Sequence, residues 1–549
     1  MSILTKRSTL VLAGLIVVLG GVFAVRAHSQ TTKSTVAQDL NLYEASPITS
    51  LDVAHITDNV SSGQLAQVGE GLFRLNAKSQ PENALAKKTT VSHDGTVYTI
   101  DLKSTGRWSN GDPVTAQDFV YSWRRTLDPK SKSEFTYQFS KIKNANAVAA
   151  GKKQPSALGV KATGKHQLKI TLAQPTSYFK VILASTTFYP LNQRAVQKYG
   201  KRYGSSAQTT VYNGPFKVTK WNGTGDTWTL KKNPTYRDKQ AIKLNQLNYR
   251  VIKSSATSYN LFQSKKLDAV TLDGEQTRQN QHNSNLKTLA SGRIGFIQYN
   301  QQDTTAANRN LRTAISLAIN RQQLTQKFLR NGSLPAHTFA VRHMQTAPKT
   351  GHDFTQDATV AQTADYAPKQ AQQHFQTALK RLHRSKINLT LICADDDTTK
   401  QLAEFIQGTL NDKLKGLNVD VKAVPFPSML SAVSKGNFQA NLTSWGMDYA
   451  DPIESLQILK SDNNSNMGHY HSATYDAALT KAEGADALKP AQRYQDLVKA
   501  AQTAMHDQAV TPLYDARTNI LVNPQVKGVV YNQFDGSADY RHAYVAQNN

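Results

Sequence analysis

Residues 108–123 read WSNGDPVTAQDFVYSW, and the second half of this stretch has the pattern of a helix start. Thr115 can cap a helix through its hydroxyl, and Asp118 follows three residues later, beside the positive end of the helix dipole. The apolar face of the helix would be supplied by Phe119, Val120 and Trp123. We predict that this helix starts at Thr115 and ends by Asp128, because the residue before a proline is driven out of the α region.

On both sides of this stretch, short β-rich runs alternate with helical patterns. Strands are predicted at residues 96–102, 167–172, 227–231 and 388–392. Further helices are predicted at residues 311–330, 368–382, 400–413, 428–434 and 490–506. The long polar segments 342–367 and 459–470 are predicted to be surface loops. The alternation predicts an α/β fold.

The length and the charge of the chain indicate how many domains it has and what kind of partner it binds. At about 150 residues per domain, 549 residues suggest about three or four domains. The chain has 65 Lys and Arg against 39 Asp and Glu, a formal net charge of +26. These basic residues are spread along the chain without a zinc-finger, RRM or basic-zipper signature, so we expect no nucleic-acid partner. Acidic lipids or wall polymers are the expected anionic partners.

The N-terminus has the pattern of an export signal. Two basic residues precede an apolar stretch from Leu10 to Val25, and small residues then suit cleavage after Ala27. The apolar stretch is shorter than the roughly 20 residues that a membrane-spanning helix needs. Residues 1–27 are therefore predicted to be a signal peptide or an N-terminal anchor, and residues 28–37 a polar tether.

Side chains that could carry out chemistry are few. The sequence has no G-x-S-x-G elbow, P-loop, H-E-x-x-H or Rossmann glycine motif, so we expect neither an enzyme nor a cofactor. Residues 395–397 are three acids that could bind Mg²⁺, but acids at this position more often cap the next helix. His469 and His471 would bind a metal only if a third ligand converged, and we expect no metal site. Cys393, the only cysteine, lies in an apolar run that predicts a buried strand thiol.

The segment at residues 444–452 reads SWGMDYADP and follows an apolar run. A carboxylate at the mouth of a strand, between Trp445 and Tyr449, suits the capture of an ammonium group by charge-assisted hydrogen bonding and cation–π contact. A buried Tyr/Trp corner followed by a turn at residues 450–452 explains the same pattern equally well. The residues alone leave these two interpretations open.

Several motifs occur in an order that is typical of one family. They are EGL at 70–72, the run at 108–123, NGPF at 213–216, KNPTY at 232–236 and WGMDYADP at 445–452. Together they resemble the extracytoplasmic oligopeptide-binding proteins of bacterial ABC importers, within the peptide/nickel-type solute-binding superfamily. The resemblance extends from about Leu51 to the C-terminus. Val53 and Arg237 depart from it, because the family has proline and an aromatic residue at these positions.

The resemblance implies an α/β two-lobe clamp of the periplasmic-binding-protein type, with a hinge and an additional third domain. Lobe one would consist of residues 38–70, 190–293 and 519–549. The extra domain would be 71–189, and lobe two 294–518. In this family an enclosed peptide lies between the lobes as an added strand, and its side chains occupy hydrated pockets.

The resemblance also implies site residues. The family's aspartate that pairs with the peptide α-amino group falls on Asp448, which favours the amine-binding interpretation of this segment. Trp445 and Tyr449 would shape that end of the site. Backbone contacts to the ligand would come from Thr443, Ser444, Gly446 and Met447. Phe135 of the extra domain and the segment from Thr57 to Asn59 of lobe one would also approach the ligand.

Some relatives grip the peptide carboxylate with basic side chains at fixed positions. At these positions the chain has Leu442, Thr399, Ser316 and Lys435, and only Lys435 can supply a cation. The amine end of the site is therefore better supported than the carboxylate end. We expect ligands that are longer, or more variable in length, than those of short-peptide binders.

The resemblance implies capture of oligopeptides outside the cytoplasm and their delivery to ABC permease subunits, by a monomer. Relatives in single-membrane bacteria carry a lipobox cysteine, whereas Val22 follows Leu19-Gly20-Gly21 here. The protein would then be held at the outer face of the plasma membrane by its N-terminal segment, or electrostatically by anionic membrane or wall polymers. Three alternatives stay open: a surface receptor for one signalling peptide, a binder of a dipeptide, nickel or haem, and an enzyme or metal-dependent hydrolase that uses residues 395–397 with His469 and His471.

Overall fold

The computed structural model describes residues 36–532 and 538–547. The predicted leader, 1–27, and most of the tether, 28–37, lie outside these ranges. The strands, in chain order, are β1 (Asp39–Glu44), β2 (Phe73–Leu75), β3 (Pro81–Asn83), β4 (Ala86–Val91), β5 (Val97–Leu102), β6 (Val160–Gly164), β7 (Gln167–Thr171), β8 (Phe216–Thr219), β9 (Thr227–Lys232), β10 (Gln246–Val251), β11 (Ala269–Leu272), β12 (Leu286–Tyr299), β13 (Leu334–Pro335), β14 (Ile387–Ala394), β15 (Leu417–Val424), β16 (Ala440–Gly446), β17 (Val510–Val522), β18 (Val526–Lys527), β19 (Val530–Tyr531), β20 (Ala538–Asp539) and β21 (Tyr544–Val545).

The α-helices, in the same order, are α1 (Asn59–Val68), α2 (Ala116–Leu127), α3 (Ala145–Ala149), α4 (Phe179–Ile182), α5 (Gln193–Tyr199), α6 (Ser255–Gln263), α7 (Gly274–Gln279), α8 (Arg309–Ala318), α9 (Arg321–Gln323), α10 (Phe354–Asp357), α11 (Pro368–Leu382), α12 (Asp397–Lys413), α13 (Phe426–Ser434), α14 (Ile453–Leu456), α15 (Ala473–Glu483) and α16 (Pro490–His506). Short 3-10 turns and one π turn, Leu324–Leu329, connect several of them. The mixture of helices and strands confirms the predicted α/β class.

One four-stranded sheet has the order β1-β10-β9-β8, and its strands lie within the ranges predicted for lobe one. β1 runs parallel to β10, and the other neighbours are antiparallel. The core of this unit contains Trp221 and Trp228 together with Val526 and Tyr540 from the end of the chain. The beginning and the end of the described chain therefore pack into one hydrophobic core.

A second four-stranded sheet, with the order β4-β5-β7-β6, lies within the predicted extra domain. Helix α2 packs against it and begins as predicted: Thr115 is the N-cap, and the Asp118 carboxylate accepts a hydrogen bond from the Thr115 N–H at 2.7 Å. Trp123 is buried, and its indole N–H donates to the Phe188 carbonyl at 3.0 Å. The helix ends before Asp128, which confirms the prediction from residues 108–123.

A seven-stranded sheet forms the centre of lobe two. Its order is β11-β17-β12-β16-β14-β15, with β13 also paired to β17. β14 is parallel to β15 and β16, whereas β12 is antiparallel to β16 and β17. β11 and the first part of β12 fall within the range predicted for lobe one but pair in this sheet. These strands and β17 therefore cross the boundary predicted between the two lobes.

The predicted strands are present with shifts of one or two residues, and most predicted helices are confirmed. Helix α12 begins earlier than expected, at Asp397, because the Asp396 side chain accepts a hydrogen bond from the Thr399 N–H at 3.0 Å. This is the capping role expected of the acids at residues 395–397. Cys393 is buried in β14, as its apolar setting predicts.

The prediction of one helix over residues 311–330 is wrong. Helix α8 ends at Ala318, Ile319 is extended, and Asn320 caps the short helix α9. Arg321 is buried and donates to the Ser316 carbonyl at 2.9 Å, so it satisfies a backbone acceptor at the end of α8. A capping residue and a buried guanidinium thus allow a break that helical periodicity does not reveal.

The segments at 342–367 and 459–470 lack long helices and strands, as expected, but they are not purely surface loops. Phe354 in the first segment is fully buried, and its ring packs edge-on against Tyr494 with a centroid distance of 5.8 Å. In the second segment Tyr470 is buried. The surface assignment fails at these positions because single aromatic side chains anchor otherwise polar segments to the core.

A buried ionic cluster around Glu70 joins lobe one to the extra domain. The carboxylate is 1% exposed and accepts hydrogen bonds from Tyr236 Oη at 2.7 Å, from Arg237 Nε at 2.8 Å and from Arg74. Burial alone would raise the pKa of Glu70, but the two arginines and these hydrogen bonds hold it below its usual value. Since Arg74 belongs to β2 and Arg237 follows β9, one acid neutralises cations from both units.

We predict that Glu70→Gln destabilises the protein strongly, because it removes the buried carboxylate that both guanidinium groups share and leaves them only the more exposed Asp238 and Asp539. The free energy of unfolding in urea should fall by about 3–5 kcal/mol, the usual effect of removing one partner of a buried ion pair. Glu404→Gln, on the exposed face of α12, is the control and should change it by less than about 0.5 kcal/mol. Equal stability of the two variants would contradict the role of the cluster.

Candidate functional site

One edge of β16 is open. The strand pairs with β14 only through Ala440 and Asn441, but it pairs with β12 as far as Gly446. In the described part of the chain, the backbone of residues 442–446 therefore has no neighbouring strand on the β14 side. β14 itself continues along β15 to Ala394, so β14 and β16 separate at their carboxyl ends. Such separations bind ligands in α/β sheets, and an open edge can accept an extended chain as an added strand.

The paired side of β16 is held by β12. Thr443 lies opposite Phe296, and Gly446 lies opposite Arg293. The Arg293 guanidinium donates from Nη1 to Ser444 Oγ at 3.1 Å, and a Cβ on residue 446 would meet Nη2 at 3.0 Å. Gly446 thus leaves room for the arginine, and the backbone of the open edge is fixed from its other side.

Two side chains at the end of β16, those of Trp445 and Met447, pack against the core and anchor the chain there. Met447 is 1% exposed, and its N–H donates to the Gly292 carbonyl at 2.8 Å. Trp445 packs on the same core, and its indole N–H is shielded from solvent without an acceptor among the described residues. These contacts determine where the next residue, Asp448, is placed.

Asp448 carries a carboxylate that has no partner. It makes no side-chain hydrogen bond or ion pair with any described residue, and it is open to solvent. The protein surrounds its other sides, and this partial burial raises the pKa of the carboxyl group. A carboxylate with all its acceptor positions free, at the end of an open strand, can bind an ammonium group.

The extra domain reaches Asp448 through Tyr137, which the sequence did not identify. Burial and the negative charge of Asp448 raise the pKa of Tyr137, so the two side chains are neighbours. The predicted residue, Phe135, is half-buried and contacts the Tyr137 ring, with a centroid distance of 6.1 Å. The local sequence contains several aromatics, and no pattern shows which one faces the acid of another domain.

A second acid, Glu454, lies behind Asp448 and was also missed. It is 6% exposed, and Gln457 Nε2 donates to its carboxyl group at 3.2 Å. Burial and then the charge of Asp448 raise its pKa to about 8, although hydrogen bonds from Tyr449 and the Asp448 N–H act in the opposite direction. Glu454 is therefore largely protonated at neutral pH.

Tyr449 belongs to the contact between lobe two and the extra domain. Its ring stacks on Tyr178 with a centroid distance of 5.4 Å and an interplanar angle of 14°. Arg493 lies 5.0 Å from the centroid of the Tyr178 ring and binds Asp451 through two hydrogen bonds of 2.8 and 2.9 Å. Tyr449, which is predicted to shape the site beside Asp448, thus also contacts the extra domain.

Tyr514 of β17 contacts β12 on the side away from the open edge of β16, a contact that the sequence did not reveal. Its ring lies on Gly295, where a Cβ would collide with it. Gly295 pairs with Tyr514 on one side and with Ser444 on the other. The alternation of inward and outward residues along β17 does not predict the contact between Tyr514 and Gly295, because it depends on a glycine in another strand.

Thr57, Asn59 and Lys435 are less closely tied to this site. Thr57 and Asn59 are exposed at the start of α1, and Lys435 is exposed at the end of α13. Within the described ranges, no hydrogen bond, ion pair or ring contact joins any of them to Asp448. Their contact with a ligand stays a prediction.

The residues considered for metal or acid–base chemistry have other roles. Asp396 caps α12, and His471 Nδ1 is 2.8 Å from Ser461 Oγ. Among residues 36–532 and 538–547, no group of three or more His, Cys, Asp or Glu side chains is placed to hold a metal ion.

Comparison with known proteins reveals clear relatives. A family described as bacterial extracellular solute-binding proteins, family 5 Middle, matches residues 80–467. The dipeptide-binding protein of Lactococcus lactis subsp. cremoris is 35% identical, over 98% of this chain and 100% of that protein.

Solved structures agree with these relatives. The structure of Listeria monocytogenes OppA bound to peptide matches with a TM-score of 0.78 and 35% identity, over 94% of this chain and all of that one. The pheromone receptor PrgZ, whose structure is described with its mode of peptide binding, also gives a TM-score of 0.78, with 34% identity over 93% of this chain and 100% of that one. These matches confirm the predicted two-lobe clamp of the periplasmic-binding-protein type.

The protonated state of Glu454 predicts a pH dependence of stability. The pKa is about 8 in the folded protein and near 4.5 in an unfolded chain, so between these values the folded state binds more protons. The free energy of unfolding should therefore fall as the pH rises from about 5 to 8, by up to about 1.4 kcal/mol per pH unit for one group.

Glu454→Gln should reduce this slope, because glutamine carries no ionisable proton. Urea unfolding between pH 5 and pH 8 measures the effect. Glu404→Gln, the exposed control, should keep the slope of the original protein. An undiminished slope in Glu454→Gln would show that another group is responsible.

Proposed function

Since the chain belongs to the bacterial extracellular solute-binding proteins of family 5, we propose that it captures oligopeptides between its two lobes for an ABC importer. The observation that carries the proposal is the unpaired carboxylate of Asp448 at the end of the open edge of β16. An extended peptide placed along this edge would have its main chain bound by β16 and its α-amino group bound by Asp448. The relatives described as binding dipeptides or peptides support this ligand class.

Backbone recognition explains how one site can accept many sequences. Every peptide offers the same N–H and C=O groups to a strand edge, so this part of the affinity does not depend on side chains. The α-amino group is equally common to all peptides. Water fills whatever space the side chains leave, at little cost in affinity. The arrangement favours a nutrient binder with broad specificity.

The carboxylate end of the ligand has less support in the structure. Of the positions where some relatives place basic side chains, Leu442 is buried in the core, and Ser316 is buried with its hydroxyl donating to the Thr363 carbonyl at 2.6 Å. Lys435 is the cation left among these positions, and it is exposed. We infer that the chain does not measure peptide length with a ring of cations, and that peptides of variable length bind.

Closure of the lobes around the peptide would present the loaded protein to the permease. In the structure, the extra domain contacts lobe two through the Tyr178–Tyr449 stack and through an ion pair of 2.7 Å between Lys141 and Glu483. Because Tyr449 adjoins Asp448, occupation of the amine site and this inter-domain contact would reinforce each other. The chemistry proposed is binding and release, without a reaction on the peptide.

A receptor for one signalling peptide is the second candidate function. It is favoured by the similarity to PrgZ, which is described as a pheromone receptor. The fold is the same in both cases, so selectivity distinguishes them. Sharp preference for one peptide would support signalling, and comparable binding of unrelated peptides would support nutrient uptake.

The protein would act at the outer face of the plasma membrane. Among the residues that the structure describes, no helix combines the length and the apolar character needed to cross a bilayer. The formal net charge of +26 suits retention by acidic lipids or wall polymers. The alternative is retention by the apolar segment at residues 10–25.

Salt extraction distinguishes the two modes of retention. Washing intact cells with roughly 1 M NaCl reduces the Debye length to about 3 Å and should release the protein if charge holds it. Release should be followed by immunoblotting of the wash and of the cell pellet. Retention until detergent is added would identify the N-terminal segment as the anchor.

Asp448→Asn should weaken binding of peptides that have a free N-terminus by about 1.5–3 kcal/mol, the contribution of a hydrogen bond to a charged group. Isothermal titration with one peptide, in its free and N-acetylated forms, measures the effect. The original protein should prefer the free form, and Asp448→Asn should bind both forms alike.

Glu404→Gln is the control, since Glu404 is an exposed acid on α12, away from the open edge of β16. It should bind the free peptide as the original protein does. Equal affinity of the original protein for free and acetylated peptides would overturn the assignment of Asp448 to the amine.

A further inference from the structure

A cavity of about 270 Å³ lies in lobe one, beside its junction with lobe two. Its walls come from β1, β10 and α1, and from β11 and β17, the strands that cross the boundary predicted between the lobes. Asn59 and Thr271 line it and are exposed, so the cavity opens to solvent near the start of α1. Its volume suits one large side chain, since sites for whole ligands are usually larger.

Glu44, the last residue of β1, supplies a carboxyl group to this cavity. Its hydrogen-bond partner is Gln64, whose Nε2 donates at 3.2 Å. The orientation of that amide is fixed, because Gln64 Oε1 accepts a hydrogen bond from Trp228 Nε1 at 2.9 Å. No lysine or arginine of the described chain forms an ion pair with Glu44. Burial raises the pKa of Glu44 to about 7, and the nearby charge of Asp58 adds to this effect.

Within the described residues no cation lies beside Glu44, in contrast to three other enclosed acids. Asp52 binds Arg125 at 2.7 Å, Asp451 binds Arg493 at 2.8 Å, and Glu70 binds two arginines, whereas the buried Glu454, like Glu44, has none. Lys and Arg outnumber Asp and Glu by 65 to 39. Since cations are abundant and Glu44 has none, the cavity has free space and a free acceptor for a cation from another molecule.

Tyrosine rings surround the carboxyl group. Tyr43, Tyr249 and Tyr540 line the cavity. Tyr249 is stacked on Trp228 with a centroid distance of 5.5 Å and an interplanar angle of 8°, and Tyr43 Oη accepts a hydrogen bond from the Thr271 N–H at 3.2 Å. These contacts hold the rings in place. A fixed carboxylate among aromatic rings is a suitable environment for an ammonium or guanidinium group.

We propose that this cavity receives a lysine or arginine side chain of the bound peptide, with Glu44 as its counter-ion. The inference rests on the proposed function and adds to it a preference for peptides that carry a basic residue at one position. The cavity is a site distinct from Asp448, which takes the α-amino group at the open edge of β16. Asn59, which lines the cavity, belongs to the lobe-one segment predicted to approach the ligand, so the cavity lies where a side chain of the bound peptide can reach it.

The test uses matched peptides that differ in one charge. Lysine is exchanged for norleucine, and arginine for citrulline, at each position of one peptide in turn, and affinities are measured by isothermal titration. At one position the original protein should bind the basic form at least about tenfold more tightly than the neutral form. Glu44→Gln should lose this preference and keep its affinity for the neutral peptide.

Glu404→Gln, the exposed control on α12, should retain the preference. Thermal unfolding of Glu44→Gln establishes that the variant is folded. Absence of a preference at every position in the original protein would overturn the inference, and so would an unchanged preference in Glu44→Gln. Failure of the original protein to bind any peptide would instead overturn the proposed function.

Discussion

The candidate site depends on the fact that the two edges of β16 are paired over different lengths. β12 supports the strand as far as Gly446, whereas β14 leaves it after Asn441. Main-chain groups in a sheet interior are normally paired, so a half-paired strand between two lobes is a ready partner for another extended chain. The surrounding features serve this edge: Arg293 fixes its paired side, Met447 fixes its end, and Tyr137 of the extra domain lies near Asp448 at that end.

The acids of this basic chain fall into two groups. Glu70, Asp52 and Asp451 are bound by arginines and hold structural units together. Among the described residues, Asp448, Glu44 and the buried Glu454 have no arginine; Asp448 is open to solvent, and Glu44 lines a cavity that a ligand can enter. A chain with a net charge of +26 would repel basic ligands in general, so locally unpaired acids are the places where an amine or a basic side chain can still be favoured.

Local patterns predicted the fold well where one segment determines the outcome. The cap at Thr115 and the acids before α12 are examples, because the residues that interact are adjacent in sequence. Asp448 was proposed as a ligand-binding residue through a motif, and this stays a prediction. Tyr137 was missed because its position near Asp448 depends on packing between domains. Glu454 was missed because its raised pKa depends on burial close to another acid. The break after Ala318 was missed for a similar reason, since the buried side chain of Arg321 replaces helical hydrogen bonds.

The most direct test of the account is native mass spectrometry of the protein as purified from its source, followed by denaturation and sequencing of the released ligand. The account predicts peptides with free N-termini that differ in sequence and length. A single peptide would retain peptide capture and favour the signalling role. A metal, haem or other non-peptide mass bound to the protein, without any peptide, would contradict the assignment of the open edge of β16 and Asp448 to a peptide main chain.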